Sequence, residues 1–166
     1  MIEIRLLQVG EEETFIKLKQ ESLKVAPETL MDTEYNPPVE YLRRQIQNDK
    51  SEIKTVVLLC DGDMLGFCQI VFYGGKRSHK VQMKGIYIRR DPRVEGQLLG
   101  KNIVEFILDY LRKNTKVEEV QAVIVPGHNS EKLLTPLGFT PRFTDVKAIK
   151  LGDNDYRDAR FWALEL

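Results

Sequence analysis

The chain is short of several things, and each shortage narrows what it can be. It has only two cysteines, Cys60 and Cys68, with no metal-type spacing between them. Both lie in apolar runs, so buried, reduced thiols are expected in place of a disulfide or a metal site. Net charge is absent too: lysine plus arginine and aspartate plus glutamate come to 25 each. A coat for nucleic acid would carry a broad basic excess, so no nucleic-acid partner is expected. No apolar run approaches the roughly 20 residues that span a bilayer, so no membrane partner is expected either. The start, MIEIRLLQVG, alternates like a strand and lacks the apolar core of an export signal. These absences lead to the expectation of one domain over residues 1–166, soluble and cytoplasmic.

What is present is strongly periodic. Met1 to Val9 reads as a strand, and Glu11 to Val25 as a helix with acids in its first turn and Phe15, Leu18 and Ser22 on one face. Pro27 stops that helix, residues 26–37 read as an irregular connection, and Pro38 is placed to open a short helix through Asn48. KTVVLLC, DGD and MLGFCQIVFY form a hairpin pattern, whose first strand is apolar on both faces and is expected to be central. A strand follows over His79 to Arg89. Leu99, Ile103, Phe106, Ile107, Tyr110 and Leu111 then mark one face of a helix ending near Asn114. VQAVIV reads as a buried strand of the parallel kind, Ser130 to Leu137 as a short helix, and the C-terminus as two strands around Gly152 to Asn154. The order βααβββαβαββ predicts an α/β domain around one sheet.

Between the strand ending near Arg89 and the long helix lies RVEGQLLGK, residues 93–101. A glycine-containing turn at a helix start can present backbone N–H groups to an anion, with the helix dipole assisting. The same pattern also serves as a plain entry turn. Lys76, Arg77, Lys80, Lys84, Arg89, Arg90, Arg93 and Lys101 meet only Asp91 and Glu95 in their stretch, which reads as an anion-binding edge or, for the first four, as a solvated strand face.

Strand, glycine loop and long helix, then strand, short helix and LGF, then two strands ending in YRDARFWALEL, resemble the GNAT superfamily of N-acetyltransferases over nearly the whole chain. FIKLKQESLKVAPETL is similar to the first helix of a GNAT subgroup in which a leucine-rich helix runs into a Pro-Glu pair. The resemblance implies an α/β fold with a GNAT-like mixed sheet of six to seven strands flanked by about four helices. It implies acetyl-coenzyme A as co-substrate, its pyrophosphate on the loop and its pantetheine arm along the preceding strand, at Ile86 and Ile88. It also implies a small-molecule or peptide amine as acceptor, and a monomer or homodimer.

Two registers of the family's loop pattern remain open. One sets Arg93 in the arginine place and Gly96 in the first glycine place, with Leu98 where a small residue belongs. The other sets Gly100 as last glycine, with Glu95 in place of the arginine and Leu98 in place of the middle glycine. A third frame, from Gln97 to Gly100 and Asn102, throws the helix out of register. The helix-anchored frame is preferred, because moving that face would expose several large side chains at roughly 1.5–3 kcal/mol each. The expected cradle residues are therefore Arg93, Glu95, Gly96, Gln97, Leu98, Gly100 and Lys101, with Arg93 reaching a phosphate from a lengthened loop.

Where many members of the family place a tyrosine as acid, this sequence has Leu134, which cannot donate a proton. A carboxylate base is missing as well, Gln82 and Lys84 holding the corresponding places. His128 is the titratable group near the expected thioester and the catalytic candidate. Asn129 is read as a helix cap or a cofactor contact. Glu28 and Tyr35 are candidates for binding the amine, and Tyr156 and Trp162 read as core or dimer-face aromatics. The expected reaction is direct attack in a ternary complex, the thiolate leaving unassisted or protonated by water. The rival is a non-catalytic acyl-coenzyme A sensor. A nucleotide hydrolase is disfavoured because Gly100-Lys101-Asn102 lacks the hydroxyl of a Walker motif.

Overall fold

The structure is a computed structural model, and it describes residues 1–28 and 32–166. The chain runs β1 (Ile2–Leu6), α1 (Glu12–Val25), α2 (Val39–Gln47), β2 (Ile53–Cys60), β3 (Asp63–Phe72), β4 (Lys80–Ile88), α3 (Leu99–Asn114), β5 (Glu119–Ile124), α4 (Glu131–Leu134), β6 (Thr140–Gly152) and β7 (Asp155–Glu165). One mixed sheet holds all seven strands in the order β1-β2-β3-β4-β5-β7-β6. The order of elements is the one the periodicity predicts.

Local chemistry explains most boundaries. Pro38 is the residue before α2, where its missing N–H costs nothing, and Asn48 is the residue after it. The first strand is shorter than Met1 to Val9, since Gly10, at φ +99°, turns the chain into α1. Residues 131–137 are split into α4 and a 3-10 turn over Thr135–Leu137, because Pro136 cannot donate to a continuing helix. Gly138, at φ +94°, closes that turn.

Two apolar layers cover the sheet. On one face α3 buries Leu99, Ile103, Ile107 and Leu111 against Val56, Leu58, Val81, Met83 and Val120. On the other, Phe15 and Leu18 of α1 and Leu42 of α2 pack on Val57, Leu59, Phe67 and Tyr87. Each such large side chain contributes on the order of 1.5–3 kcal/mol. This double cover explains why β2 is buried over its last six residues although it is second from the edge and not central. VQAVIV differs from expectation on one side only: β5 is parallel to β4 and antiparallel to β7. Cys60 and Cys68 are buried free thiols, and burial pushes Cys68 up to about 12. Among the described residues no helix is long and apolar enough to cross a membrane.

Candidate active site at the fork between two parallel strands

The parallel pairing of β4 and β5 runs from Lys80 opposite Glu119 to Met83 opposite Ala122 and stops there. Beyond Met83 the two strands have no register with each other, while β4 stays paired with β3 as far as Ile88 opposite Gly66. The β5-facing edge of residues 84–88 is therefore open. The fork coincides with a bulge: Cys68 faces Ile86 and Gln69 faces Lys84, leaving Gly85 as the extra residue, at φ +56°. That backbone suits glycine, whose lack of Cβ removes the steric penalty. A small cavity of about 10 Å³ lies here, lined by Glu28, Gly85, Ile86, Val123 to Val125, His128 and Ser130. Three residues singled out from sequence, Glu28, Ile86 and His128, thus meet at the fork.

After β4 the chain makes a 3-10 turn over Pro92–Val94, turns again at Gly96 (φ +77°), and enters α3 after Leu98. The start of α3 is uncapped: Leu98 makes no side-chain cap hydrogen bond, and no acid lies in the first turn. The N–H groups of the first helical turn have no intrahelical partners, and the dipole adds partial positive charge there. They open on a pocket of about 650 Å³ lined by Ile88 to Pro92, Val94, Glu95, Gln97 to Gly100, and Leu133 from α4. Leu98, 67% exposed, forms part of its wall.

The expected cradle residues divide. Ile88, Glu95, Gln97, Leu98 and Gly100 line this pocket, while Arg93, Gly96 and Lys101 do not. Arg93 is held by Asp91 at 2.8 Å and Asp63 at 3.0 Å, in a second pocket against α1. These acids hold Arg93 protonated, and Arg93 in turn lowers Asp91 to about 2. Arg93 is thus engaged by two carboxylates of the chain and does not line the pocket at the start of α3. Lys101 lies 3.7 Å from Glu105, one turn along α3. Gly100 belongs to the first turn of α3, and a Cβ there would meet Leu133 Cδ1 at 2.7 Å. The atom that Cβ would meet is the far end of a flexible leucine side chain, which can shift, and Gly100 itself lines the pocket.

A polar cluster on the α1 face was not read from the sequence. Lys19 is 3% exposed, and its Nζ donates to Asp32 at 2.9 Å and Gln69 at 2.7 Å, 4.1 Å from the Tyr35 ring. Burial lowers the Lys19 pKa, and the pairing with Asp32 opposes this. Burial raises Tyr35 to about 12. Tyr35 also packs edge-on against Phe15, so it is a wall of the core as much as a surface group. The available signal was Lys19's position, four residues after Phe15 in the apolar stripe of α1. Nearby, Glu21 accepts from Tyr87 Oη at 2.9 Å and pairs with Arg89 at 2.5 Å.

A family model described as the acetyltransferase (GNAT) family matches residues 18–139. The chain belongs to the GNAT acetyltransferase family. By sequence, no curated protein matches it. Among solved structures it is similar to a GNAT-family acetyltransferase from Streptococcus pneumoniae, at 15% identity and TM-score 0.82 over 100% of both chains. It is also similar to a GNAT superfamily phosphinothricin acetyltransferase from Sinorhizobium meliloti in complex with acetyl-coenzyme A. That match has 18% identity and TM-score 0.80, over 99% of this chain and 88% of the other. A third is a ribosomal-protein-alanine N-acetyltransferase from Brucella melitensis, at 15% identity and TM-score 0.81 over 99% of both chains.

Within this GNAT chain, α4 is where the sequence departs from the expected acid. Leu134 is 1% exposed and belongs to the core beneath α3. Asn129 is exposed, and the residue preceding α4 is Ser130, which makes no side-chain cap; Glu131 instead accepts from Gly127 N–H at 2.8 Å. His128 Nδ1 accepts from the Ser130 backbone N–H at 3.2 Å and also contacts the Ser130 hydroxyl. An Nδ1 that accepts sets the neutral ring as the Nε2–H tautomer, an assignment from hydrogen bonding.

Proposed function

We propose that the chain is an N-acetyltransferase moving acetyl from acetyl-coenzyme A to a primary amine of a small molecule or peptide, by direct attack in a ternary complex. The uncapped start of α3 at the 650 Å³ pocket, beside the strand fork, carries this reading. Backbone N–H groups between Glu95 and Lys101 take the pyrophosphate, a role suited to a helix start with neither a side-chain cap nor an acid in its first turn. The open edge of β4 at Ile86 and Ile88 takes the pantetheine arm by strand-like pairing. When bound, acetyl-coenzyme A supplies an activated acetyl thioester.

The chain's own groups then have distinct tasks. The Gly85 bulge holds β4 backbone outside regular pairing at the fork, where a fixed N–H dipole stabilises charge developing on the acetyl oxygen. Glu28 receives the amine as an ammonium and Tyr35 walls the acceptor side. The ammonium gives one proton to water before its lone pair attacks the thioester carbonyl. As the C–N bond forms and the C–S bond breaks, the sulfur leaves as a thiolate that water protonates, and the new amide loses its surplus proton to solvent. The polar His128 ring at the fork steadies the departing sulfur. Asn129 remains a candidate contact to the arm.

A second reading, a non-catalytic acyl-coenzyme A sensor, is favoured by Leu98 in the loop and Leu134 in place of a proton donor. Calorimetric titration with coenzyme A, followed by thiol release from acetyl-coenzyme A against an amine panel, separates the two. The expected result is binding, turnover with at least one amine, and a drop of at least about tenfold in turnover for His128→Ala at unchanged coenzyme A affinity. Binding without turnover favours the sensor, and no binding overturns both.

A further inference from the structure

Lys84 is a cation at the fork that acetyl transfer, as set out above, leaves without a task. It is the last regularly paired residue of β4 before the extra Gly85, and it stands opposite Gln69 of β3. Its ammonium lies 3.7 Å from Asp32 Oδ1, outside hydrogen-bond distance. Asp32 is engaged instead by Lys19, at 2.9 Å on its other oxygen. Lys19 is 3% exposed and finds a second acceptor in Gln69 at 2.7 Å. One carboxylate thus serves two ammonium groups, and only the buried one is closely held. The Lys84 side chain is 29% exposed and has no closer carboxylate among the described residues.

We propose that Lys84 is the anion-binding group of the acceptor subsite, and that the acceptor is a small amino acid carrying a carboxylate beside its amine. This rests on the acetyl-transfer reading, which sets the amine at Glu28. Glu28 lines the fork cavity together with Gly85, the residue after Lys84, and has no salt bridge among the described residues. A carboxylate without an ion pair and a loosely held ammonium therefore meet at Gly85, complementary to the ammonium and carboxylate of a zwitterion. Gln82 follows Lys84 on the same face of β4 and accepts from Tyr73 Oη at 2.8 Å. Lys80 comes next, and the acid there, Glu119, is already bound by Lys80 at 3.0 Å and Arg142 at 2.9 Å. That direction offers no free acid for a second amine, so a polyamine would set its further cation against Lys84. The charges of Lys19, Lys84 and Asp32 sum to a single positive one, which matches a carboxylate better than a doubly charged phosphate monoester.

Calorimetry on the protein saturated with coenzyme A tests this, using the common L-amino acids, each beside its α-carboxamide. The same pairs are run in the thiol-release assay. The amide keeps the amine and removes the charge; its amine is the less basic, so lost turnover cannot come from a scarcer neutral amine. Wild type is expected to bind at least one amino acid at least about tenfold more tightly than its amide. Lys84→Met should erase that preference, mainly through KM and at unchanged coenzyme A affinity. Lys84→Glu should favour the amide, and Lys84→Arg should retain the preference for the acid. Should Lys84→Met melt early, Lys84→Gln carries the test, with the same loss expected. Amides bound as well as their acids, no amino acid bound, or a preference that survives loss of the Lys84 charge would each overturn the inference. Turnover of carboxylate-free amines alone would overturn it and leave acetyl transfer standing. Lys84-dependent binding of an amino acid without turnover would support it and count against acetyl transfer.

Discussion

The segment that leaves β4 has two halves with opposite electrostatic economies. From Arg89 to Arg93 most side chains are charged and two of the three arginines are engaged, Arg89 with Glu21 and Arg93 with Asp91 and Asp63, while Arg90 is exposed on the pocket wall. From Glu95 to Lys101 the side chains offer little, and the backbone at the start of α3 is left uncapped. A count of cations would place anion binding in the first half. The proposed cradle sits in the second, because an arginine already bridging two carboxylates has little field left over, whereas unpaired N–H groups at a helix start keep theirs.

The largest expected effect tests the second half. Gly100→Val should weaken coenzyme A binding by roughly 2 kcal/mol or more, since a branched side chain obstructs the helix start. The added Cβ also meets Leu133, so Gly100→Val with Leu133→Ala separates the two causes. The double variant should regain melting temperature and remain weak in calorimetry; restored affinity would reduce Gly100 to a packing role.

A smaller effect is expected in the first half. Arg93→Ala should change coenzyme A affinity by less than about twofold, in contrast to the roughly 1–2 kcal/mol a direct charge-assisted contact would give. Solvent screening leaves its exposed ion pairs a minor part in stability. A tenfold loss of affinity would return Arg93 to the cradle.

The smallest effect concerns acid. Asp91 is held near 2, below its ordinary value of 3.8, by its bonds to Arg93. A depressed carboxylate contributes stability above its unfolded pKa and loses it as pH falls through the folded one. The gap in melting temperature between wild type and Asp91→Asn should therefore be present above pH 3.8 and close toward about 2. A gap that persists below that pH would mean the ion pair is not its source.

Much of this was legible in the sequence because it is local and periodic. The stripe Leu99, Ile103, Ile107, Leu111 marked the start and burial of α3. What escaped reading is non-local. Arg93 pairs with Asp63 across 30 residues of chain, and no pattern near residue 93 announces that. Lys19 was masked by belonging to an otherwise apolar helix face, its partner Gln69 lying 50 residues away on β3. The bulge had a local trace, a glycine inside an alternating strand, but only the register with β3 makes Gly85 the extra residue.

Leu98→Asp tests most directly whether the start of α3 is kept uncapped for an anion. Aspartate at that position caps a helix and adds about 1 kcal/mol of stability, while setting a negative charge where the pyrophosphate is proposed to lie. Thermal melts and coenzyme A calorimetry on this one variant should therefore move in opposite directions, with a melting temperature higher by about 2–4 °C and affinity lower by at least about tenfold. A variant that melts higher and binds coenzyme A as well as wild type would contradict the account.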